Sequence, residues 1–445
     1  MKEDPELLIG LSLGKRFFKP NSRYNALHIS FKISDVVHYL KKVGLIGMKL
    51  GVKLGLSTRI WPTEKLQRLF QQSNFSPLLF RSHEDKEVIV LNDTELQPNG
   101  RLSDSGKPQE YSDEDYAEIP RMRKMLLRYN DLLRRSFIDL QNHEEPVYRR
   151  RFWNPKKRAW DEKAIVTGHH NKFVRRVFYR GSWQLSGRFH GGFWQQIDGD
   201  KREQIRINDF RTVELDFSGL HINIAYALEG LGPIEGDPYE VEPLFNVPAS
   251  EQRAWVKALS LTAINVKSED QIYPAFRQAQ PTGTRAKRFR NVELRKLFDA
   301  FKSKHQAIQH YFCSDQGVRL MNIDGEIVAR VLKYFTDRDE PILSIHDSFI
   351  CREQCKEELT RVMNQTVSDM LAGFVIGIKA NKEVADLSSV IQEGNINVTQ
   401  AKDHYLNRPK DDRRCDGYLK RWEEHKSWLH MIENPIYEET SVRKL

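Results

Sequence analysis

The chain has 445 residues, which corresponds to roughly two to four domains. An apolar fraction of 39% with 23 Phe, 15 Tyr and 8 Trp excludes a disordered, collagenous or low-complexity chain. No apolar stretch approaches the ~20 residues that span a bilayer, and the first residues lack the pattern of a secretory signal. Four cysteines are too few for a disulfide framework, so we expect a cytoplasmic protein.

The positive charge of the chain is concentrated in one segment. The formal net charge is +9, but residues 121–190 hold 18 Lys and Arg against 6 Asp and Glu, so the other residues sum to −3. Aromatic residues interleave this run, as in the sequence YRRRFW at 148–153. Because cationic side chains neutralise phosphates and aromatic rings stack on bases, Arg149, Arg150 and Arg151 are predicted to contact nucleic acid. A solvated basic face is the alternative interpretation.

The hydrophobic spacing predicts a mixture of helices and strands. Helices are expected at 34–48, 62–71, 122–137, 220–228, 250–264, 288–312 and 321–335, and strands at 87–91, 205–207, 213–217, 342–345 and 349–351. Residues 92–118 are rich in Asn, Asp, Gly, Ser and Pro and are predicted to form a loop or linker. A bend is predicted at 346–348, and residues 386–445 are expected to form a small helical appendage.

Two aspartates each stand at the end of a predicted apolar strand. Asp216 ends the run VELD, and Asp347 follows the run LSIH. Two such carboxylates from neighbouring strands can bind a pair of divalent cations through oxygen. Two cations can activate an attacking hydroxyl and stabilise the departing oxygen of a phosphoryl displacement. For either aspartate taken alone, a turn or capping role is the alternative.

Between the two aspartates lies a predicted helix with a basic stripe. Arg253 and Lys257 are four residues apart and share one helical face, and Asn265 lies about two turns further on. Such a stripe can bind a triphosphate and neutralise the departing pyrophosphate. A solvent-facing charged helix is the alternative.

Taken in order, these motifs resemble the superfamily that unites family A DNA polymerases with single-subunit phage RNA polymerases. The resemblance lies in motif A (VELDFSGLH, 213–221), motif B (Arg253, Lys257 and Asn265) and motif C (IHDSF, 345–349). Gly187-Arg188 with the later QQI at 195–197 is similar to the pre-palm motif that contacts the primer–template. The resemblance covers roughly residues 170–380. The sequences of these motifs are most similar to those of a branch found in transposons, phages and other mobile elements.

This resemblance implies an α+β protein with the right-hand architecture of polymerases. It divides the chain into an N-terminal accessory region at 1–118 with a linker at 92–118, a thumb-like basic helical region at 119–185, a palm at 186–240 and 316–385, fingers at 241–315, and a C-terminal appendage at 386–445. No proofreading exonuclease is expected in residues 1–118. The branch implies a prokaryotic cell or a phage-infected host as the setting.

The resemblance also implies template-directed nucleotidyl transfer from a nucleoside triphosphate to a 3′-hydroxyl. The reaction would use two Mg²⁺ ions, for which Mn²⁺ can substitute, and Asp216 and Asp347 would hold them. Arg253 and Lys257 would bind the incoming phosphates, with Lys257 as a proton donor to pyrophosphate. The implied partners are a DNA or RNA template with a primer and nucleoside triphosphates, and no membrane.

Four further positions concern the nucleic acid and the sugar. By resemblance, Arg188 would touch the primer–template and His346 would support the turn of motif C. His221 stands where DNA polymerases carry a Glu that blocks a 2′-hydroxyl, and Asn265 stands where the family has a Tyr. We therefore predict that His221 and Asn265 contact the incoming nucleotide and that discrimination against ribonucleotides is weak.

Three functions remain in competition at this point. A DNA polymerase of a mobile element is the leading interpretation, and an RNA polymerase or primase of the same fold is favoured by His221 and by the His-Asp-Ser-Phe wording of motif C. A catalytically inactive nucleic-acid-binding protein has no need of both Asp216 and Asp347. A metal-dependent nuclease or transposase could use the two aspartates but would leave the stripe of Arg253 and Lys257 unexplained.

Overall fold

The computed structural model describes most of the chain. The described residues are 8–15, 18–51, 57–73, 86–96, 102–103, 106–154, 157, 159–380 and 413–434. The predicted appendage at 386–445 therefore lies partly outside the described residues, as do parts of the predicted linker at 92–118. No helix in the described part is both long enough and apolar enough to cross a bilayer.

Helices and strands alternate along the described chain, which confirms the α+β class. The helices are α1 (Ile33–Lys42), α2 (Glu64–Gln72), α3 (Ile119–Arg135), α4 (Gly199–Arg202), α5 (Leu220–Leu228), α6 (Ala249–Asn265), α7 (Ile272–Ala279), α8 (Arg285–Arg288), α9 (Asn291–Lys304), α10 (Gly317–Thr336), α11 (Lys356–Met370) and α12 (Asp416–Glu433). The strands are β1 (Ile9–Leu11), β2 (Ile46–Lys49), β3 (Thr58–Pro62), β4 (Ile89–Leu91), β5 (Glu95–Leu96), β6 (Leu102–Ser103), β7 (Ile138–Leu140), β8 (Val147–Asn154), β9 (Ala159–Val166), β10 (Val174–Phe178), β11 (Ser186–Gly191), β12 (Ile205–Ile207), β13 (Phe210–Phe217), β14 (Leu343–Ile345), β15 (Ser348–Arg352) and β16 (Ile378–Ala380).

One antiparallel sheet carries both predicted catalytic aspartates. Its strand order is β14-β15-β13-β12-β7, and β16 pairs with the end of β13 on the edge that β12 also uses. Along β13, Val213, Leu215 and Phe217 are buried, whereas the alternate residues are less buried, as the period of two predicts. The predicted strand pair around residues 205–217 and the predicted pair around the 346–348 bend are both confirmed.

The central helix α10 packs against β11 and against α3, α5, α6 and α11. Its close approach to β11 depends on Gly325, because a Cβ at that position would lie 2.4 Å from the carbonyl oxygen of Gly187. Tyr129 of α3 donates a hydrogen bond of 2.7 Å to the carbonyl of Ile342, which ties α3 to the segment before β14. These contacts bring β11, α10 and the aspartate-bearing sheet into one core.

The basic segment differs most from its prediction. Among the described residues of 119–185, the only α-helix is Ile119–Arg135, and β7, the β8–β9 hairpin and β10 follow it. Ile138 and Leu140 of β7 are buried against β12, so the sheet of the aspartates extends across the boundary predicted at residue 185. The prediction of a helical region was wrong after residue 135, because a high density of charged residues has no period that distinguishes a helix from a strand. The strands of this segment instead follow the alternation of buried and exposed residues.

Two other predicted helices are shorter than expected. The helix predicted at 34–48 ends as α1 at Lys42, and Gly44 with a φ of 74° turns the chain into β2. The helix predicted at 288–312 is divided into α8, α9 and a 3₁₀ segment. The chain is extended at Phe289 and Arg290, between α8 and α9, and leaves the helical conformation at His305, between α9 and the 3₁₀ segment.

The C-terminal helix α12 confirms the helical part of the predicted appendage. It docks on the region around β7, where the Arg421 Nε lies 2.6 Å from the buried carboxylate of Asp139. Tyr418 and Trp422 pack their rings against Phe137 at centroid distances of 5.2 and 4.9 Å. The helix is therefore part of the core that supports the main sheet.

Candidate active site

The sheet brings Asp216 and Asp347 to the same end. Asp216 lies near the end of β13 in register with Ser348 of β15, and Asp347 lies in the two-residue turn that joins β14 to β15. His346 makes this turn possible with a φ of 52°, in the left-handed region. The Phe217 amide nitrogen lies 3.4 Å from the Asp347 carbonyl oxygen, so the two acidic residues occupy adjacent strand ends.

The pKa of Asp216 is shifted by its burial and by the charged groups around it. Burial, first, and the neighbouring carboxylate of Asp347, second, raise the pKa of Asp216 to about 7. Lys257 and Lys379 act in the opposite direction. Since two carboxylates repel each other in a low-dielectric site, the pair is most stable with a proton or a cation bound.

A third carboxylate supports the pair from the same face of β13. Glu214 lies two residues before Asp216, and it accepts hydrogen bonds from the Arg202 Nε at 2.8 Å and from the Ser348 hydroxyl at 2.8 Å. Ser348 follows Asp347 directly. The network therefore fixes the spacing between β13 and the turn that carries Asp347. The period of two along β13 is a sequence signal that could have identified Glu214.

The basic stripe of α6 faces this end of the sheet across Tyr239. The Arg253 guanidinium lies 5.6 Å and the Lys257 Nζ 5.7 Å from the centroid of the Tyr239 ring. Tyr239 is buried; burial raises its pKa above the ordinary value, and the charges of Asp347 and Asp237 add to that shift. The Tyr239 ring is thus a shared neighbour of the two cations and, through their effect on its pKa, of the Asp347 and Asp216 carboxylates.

Two further residues of this cluster were missed from the sequence. Asp237 holds Arg253, whose Nε and Nη2 lie 2.8 and 2.7 Å from its carboxylate. Burial raises the pKa of Asp237, but the guanidinium outweighs this effect and the pKa lies below its ordinary value. Lys379 stands opposite Asp216 on β16, with its Nζ 3.7 Å from Asp237. A distant strand in antiparallel register leaves no local sequence signal for this pairing.

Arg188 and His221 meet at a buried carboxylate on α10. Arg188 donates to Asp324 through Nε at 2.7 Å, and its Nη2 also contacts the His221 Nε2 at 2.9 Å. The His221 Nε2 lies 3.3 Å from Asp324. Burial raises the pKa of Asp324, but His221 and Arg188 lower it more, so the carboxyl stays ionised. Asp324 was missed, although an aspartate on the apolar side of a predicted helix is a usable signal.

The side chains of His221 and Arg188 are largely covered by the protein. His221 is 9% exposed, and its Nε2 is engaged by protein groups. The Arg188 side chain is 16% exposed. Both residues are therefore mostly buried, Arg188 on β11 and His221 on α5. Their contacts with the nucleotide and with the primer–template stay predictions.

The other predicted residues of the site occupy two separate places. Asn265 lies at the end of α6, where its amide nitrogen donates to the Leu261 carbonyl at 2.7 Å and its side chain lies against Gly317 of α10. His346 is exposed at the turn, and its ring centroid lies 5.8 Å from that of His190. Asn265 thus joins α6 to α10 in this structure, and its substrate contact stays a prediction.

The donor set fits a hard divalent cation. Asp216 and Asp347 supply carboxylate oxygens, which are the ligands that Mg²⁺ and Mn²⁺ prefer. Among the described residues, no group of three or more His, Cys, Asp and Glu side chains is arranged to hold a metal ion. A cation at this pair would complete its coordination with water and substrate oxygens, as Mg²⁺ commonly does.

The three arginines of the basic run are placed on different faces of the β8–β9 hairpin. Arg149 and Arg151 are exposed on one face. Arg150 points the other way, with its Nε 2.8 Å from Asp198 and its Nη1 donating to the Gln196 carbonyl at 2.9 Å. Arg150 therefore anchors the hairpin, which the uniform prediction for the three residues did not distinguish.

Comparison with known proteins finds a distant structural likeness. No protein-family model and no curated protein matches this chain. Among solved structures, the chain is similar to the POL domain of Pol1 from M. smegmatis in complex with DNA primer-template and dNTP, with 14% sequence identity and a TM-score of 0.31. The likeness covers 48% of this chain and 47% of that chain. A likeness with this identity and TM-score carries no argument about function.

Proposed function

We propose that this chain is a template-directed nucleic-acid polymerase that transfers a nucleotidyl group from a nucleoside triphosphate to a 3′-hydroxyl. The observation that carries the proposal is the pairing of Asp216 and Asp347 at adjacent strand ends, with Lys257 near enough to lower the pKa of Asp216 and with Arg253 beside the same Tyr239 ring as Lys257. An acidic pair facing a basic stripe provides for a divalent cation and for the phosphates that the cation accompanies. A simple binding protein needs no such pair.

The proposed roles follow from the charges. Asp216 and Asp347 hold two Mg²⁺ ions, for which Mn²⁺ can substitute; when bound, the ions polarise phosphoryl oxygens and lower the pKa of an attacking hydroxyl. Arg253 and Lys257 bind the triphosphate and orient it toward the carboxylates. Lys257 also donates a proton to the departing pyrophosphate. Tyr239 packs beside Arg253 and Lys257 and helps to orient them.

The domain division is proposed in the form that the resemblance implies. Residues 186–240 and 316–385 form the palm around the main sheet, and residues 241–315 form the fingers with the basic stripe. Residues 119–185 form the thumb-like region, and β7 within it pairs with β12 of the main sheet. Residues 1–118 and 386–445 are additions to this core.

Synthesis of DNA on a primed template is the leading proposal. The sequences of the motifs favour the branch of mobile elements. An RNA polymerase or primase is the second candidate, because position 221 carries a histidine and no acid that could exclude a 2′-hydroxyl. Both candidates use the same carboxylates and the same basic stripe. They differ in the nucleotide that is incorporated.

Extension of a labelled primer on a defined template, with dNTPs and rNTPs supplied separately, tests the proposal. We expect Asp216→Asn and Asp347→Asn each to lower the extension rate at least ~1,000-fold, since a metal ion supplies several kcal/mol of transition-state stabilisation. Binding of the primer–template should stay within a few fold.

Asp200→Asn is the matched control, because this aspartate is exposed on α4 and its side chain is 72% accessible. The control should extend the primer like the unmodified chain. Extension that survives either pocket substitution would place the active site elsewhere. Tight nucleic-acid binding by the unmodified chain with no extension in Mg²⁺ or Mn²⁺ would favour the inactive binding protein.

A further inference from the structure

The outer face of the β8–β9 hairpin combines an exposed indole with two exposed arginines. We propose that this face binds single-stranded nucleic acid, with a base stacked on Trp160 and phosphates bound by Arg149 and Arg151. The inference deepens the proposed polymerase function and rests on it for the source of the strand, which would be the unpaired template.

The strand register defines the face. The two strands pair from Val147 opposite Val166 to Asn154 opposite Ala159, and residues directly opposite each other point to the same side of an antiparallel ribbon. The outer face is therefore made of Arg149, Arg151, Trp153, Trp160, Glu162 and Ala164. Trp153 and Trp160 are a direct cross-strand pair with ring centroids 6.0 Å apart, edge to face.

The opposite face is occupied by the protein itself. The Tyr148 hydroxyl donates to Asp198 at 2.6 Å, Arg150 contacts the same carboxylate, and the Lys163 Nζ donates to the Gln196 side chain at 3.0 Å. These contacts fix the hairpin to residues 196–198. One face of the ribbon is thus an attachment surface, and the outer face is directed to solvent.

The exposure of Trp160 is the feature that needs a ligand. This indole is 53% exposed, although burying an aromatic ring of this size is a large source of binding free energy. The Arg151 guanidinium lies 5.3 Å from the ring centroid, which orders the ring and places positive charge beside it. A π-face flanked by cations is the combination that binds bases and phosphates together.

The charge of the surroundings favours nucleic acid over an apolar protein partner. The hairpin lies within the segment at 121–190 that carries the excess positive charge of the chain. Glu162 is the one carboxylate among the residues of the outer face. It lies opposite Arg151 and two positions after Trp160 on the same strand. A single strand fits better than a duplex, because paired bases are already stacked on each other and offer no face to an indole.

The anchor connects this surface to the proposed active site. Residues 196–198 follow Gln195, whose amide donates to the Ser344 carbonyl at 2.8 Å. Ser344 is in β14, the strand that leads to the turn with Asp347. A strand held on the hairpin is therefore held on the same framework as the proposed catalytic carboxylates.

Binding of fluorescein-labelled oligo(dT) and of a blunt 20-base-pair duplex to the full chain tests the proposal. We expect oligo(dT) to bind more tightly than the duplex at matched salt, and Trp160→Ala to weaken oligo(dT) binding about 10-fold, in the range of one lost base stack. Trp160→Phe should retain most of the affinity, since it keeps a stacking ring and the fold of the hairpin.

Phe210→Ala is the matched control. Phe210 is 49% exposed and lies 5.1 Å from the Arg352 guanidinium, so it reproduces an exposed ring beside an arginine outside the hairpin. The control should bind oligo(dT) like the unmodified chain. Equal losses in Trp160→Ala and Phe210→Ala, or no loss in Trp160→Ala, would overturn the proposal.

The outcome can be separated from the fate of the proposed polymerase function. Asp216→Asn should bind oligo(dT) like the unmodified chain and extend no primer. Trp160-dependent oligo(dT) binding by a chain that extends no primer would support the surface and reject the polymerase. Extension with oligo(dT) binding independent of Trp160 would support the polymerase and reject the surface.

Discussion

The proposed active site and the β8–β9 hairpin both concentrate charge, but they hold it in different ways. Around Asp216 the carboxylates and Arg253 are partly buried, and Arg253 is held by Asp237. Lys257 and Lys379 are the exposed charges of this cluster. On the outer face of the hairpin, Arg149 and Arg151 project into solvent.

This difference teaches what to expect from substitutions. In a partly buried cluster, one lost charge leaves its neighbours uncompensated in a medium of low dielectric constant, so single changes have large effects. On an exposed surface, each charge is screened by salt and acts as one of several phosphate contacts, so effects are small and add together. The four predictions below sharpen or break this contrast, in order of decreasing effect.

The largest effect in this series is expected at the basic stripe. Lys257→Ala should lower the rate of primer extension about 100-fold, because it removes a preorganised cation from the charge that develops on the leaving group. Lys267→Ala, which removes an exposed lysine just after α6, is the control and should change the rate little. Steady-state extension at saturating nucleotide is the measurement. A loss no greater than that of the control would remove Lys257 from the site.

Sugar choice comes next, because it depends on the buried cluster of His221, Arg188 and Asp324. Position 221 offers no free acid to exclude a 2′-hydroxyl, so we expect ribonucleotides to be incorporated within about 100-fold of deoxynucleotides, a gap of roughly 2.7 kcal/mol. His221→Glu should widen the gap, and His221→Gln should not. Competition between dNTPs and rNTPs on one template measures the ratio.

Two results would contradict this prediction. One is rejection of ribonucleotides by many thousand-fold in the unmodified chain. The other is an equal ratio for His221→Glu and His221→Gln, with both variants folded by thermal unfolding. Either result would reduce His221 to a packing residue that holds Asp324 and Arg188 in place.

A smaller effect is expected at the hairpin. The double variant Arg149→Gln with Arg151→Gln should reduce the slope of log affinity against log salt by roughly 1.4 for single-stranded nucleic acid, about 0.7 for each lost phosphate contact. Arg150→Gln should leave the slope unchanged and lower the melting temperature, because it removes the contacts with Asp198 and Gln196. An unchanged slope in the double variant would make the outer face a solvated surface.

The smallest effect concerns the docking of α12 and depends on pH. Burial, first, and the charge of Lys172, second, lower the pKa of His425 to about 4, and the ring Nε2 donates a hydrogen bond to the Arg135 carbonyl. Below pH ~6.5 the unfolded chain binds a proton that the folded chain rejects, so the free energy of unfolding falls by about 1.4 kcal/mol per pH unit down to about pH 4.

Urea unfolding at pH 7.0 and pH 5.5 measures this effect as the difference between the unmodified chain and His425→Phe. His310→Gln, at an exposed histidine, is the control and should keep the pH dependence of the unmodified chain. The prediction is wrong if His425→Phe loses as much stability on acidification as the unmodified chain does.

Local sequence patterns were sufficient wherever neighbouring residues decide the structure. The alternation from Val213 to Phe217 predicted β13, and the His-Asp-Ser bend predicted the turn between β14 and β15. The spacing of Arg253 and Lys257 predicted one face of α6. Burial period and turn chemistry are properties of short segments, so they can be read without the fold. The catalytic roles of these residues stay predictions.

The sequence alone determined the composition, the two strand-end aspartates and the basic stripe, because each depends on residues close together in the chain. Only the tertiary structure decided which distant groups complete them: Lys379 opposite Asp216, Asp324 beneath Arg188, and Asp237 beside Arg253. It also separated Arg150 from Arg149 and Arg151, since the faces of a hairpin depend on what packs against it. Strand register and helix packing join Arg188 to Asp324 over 136 positions and Arg253 to Asp237 over 16, and no local period encodes such contacts.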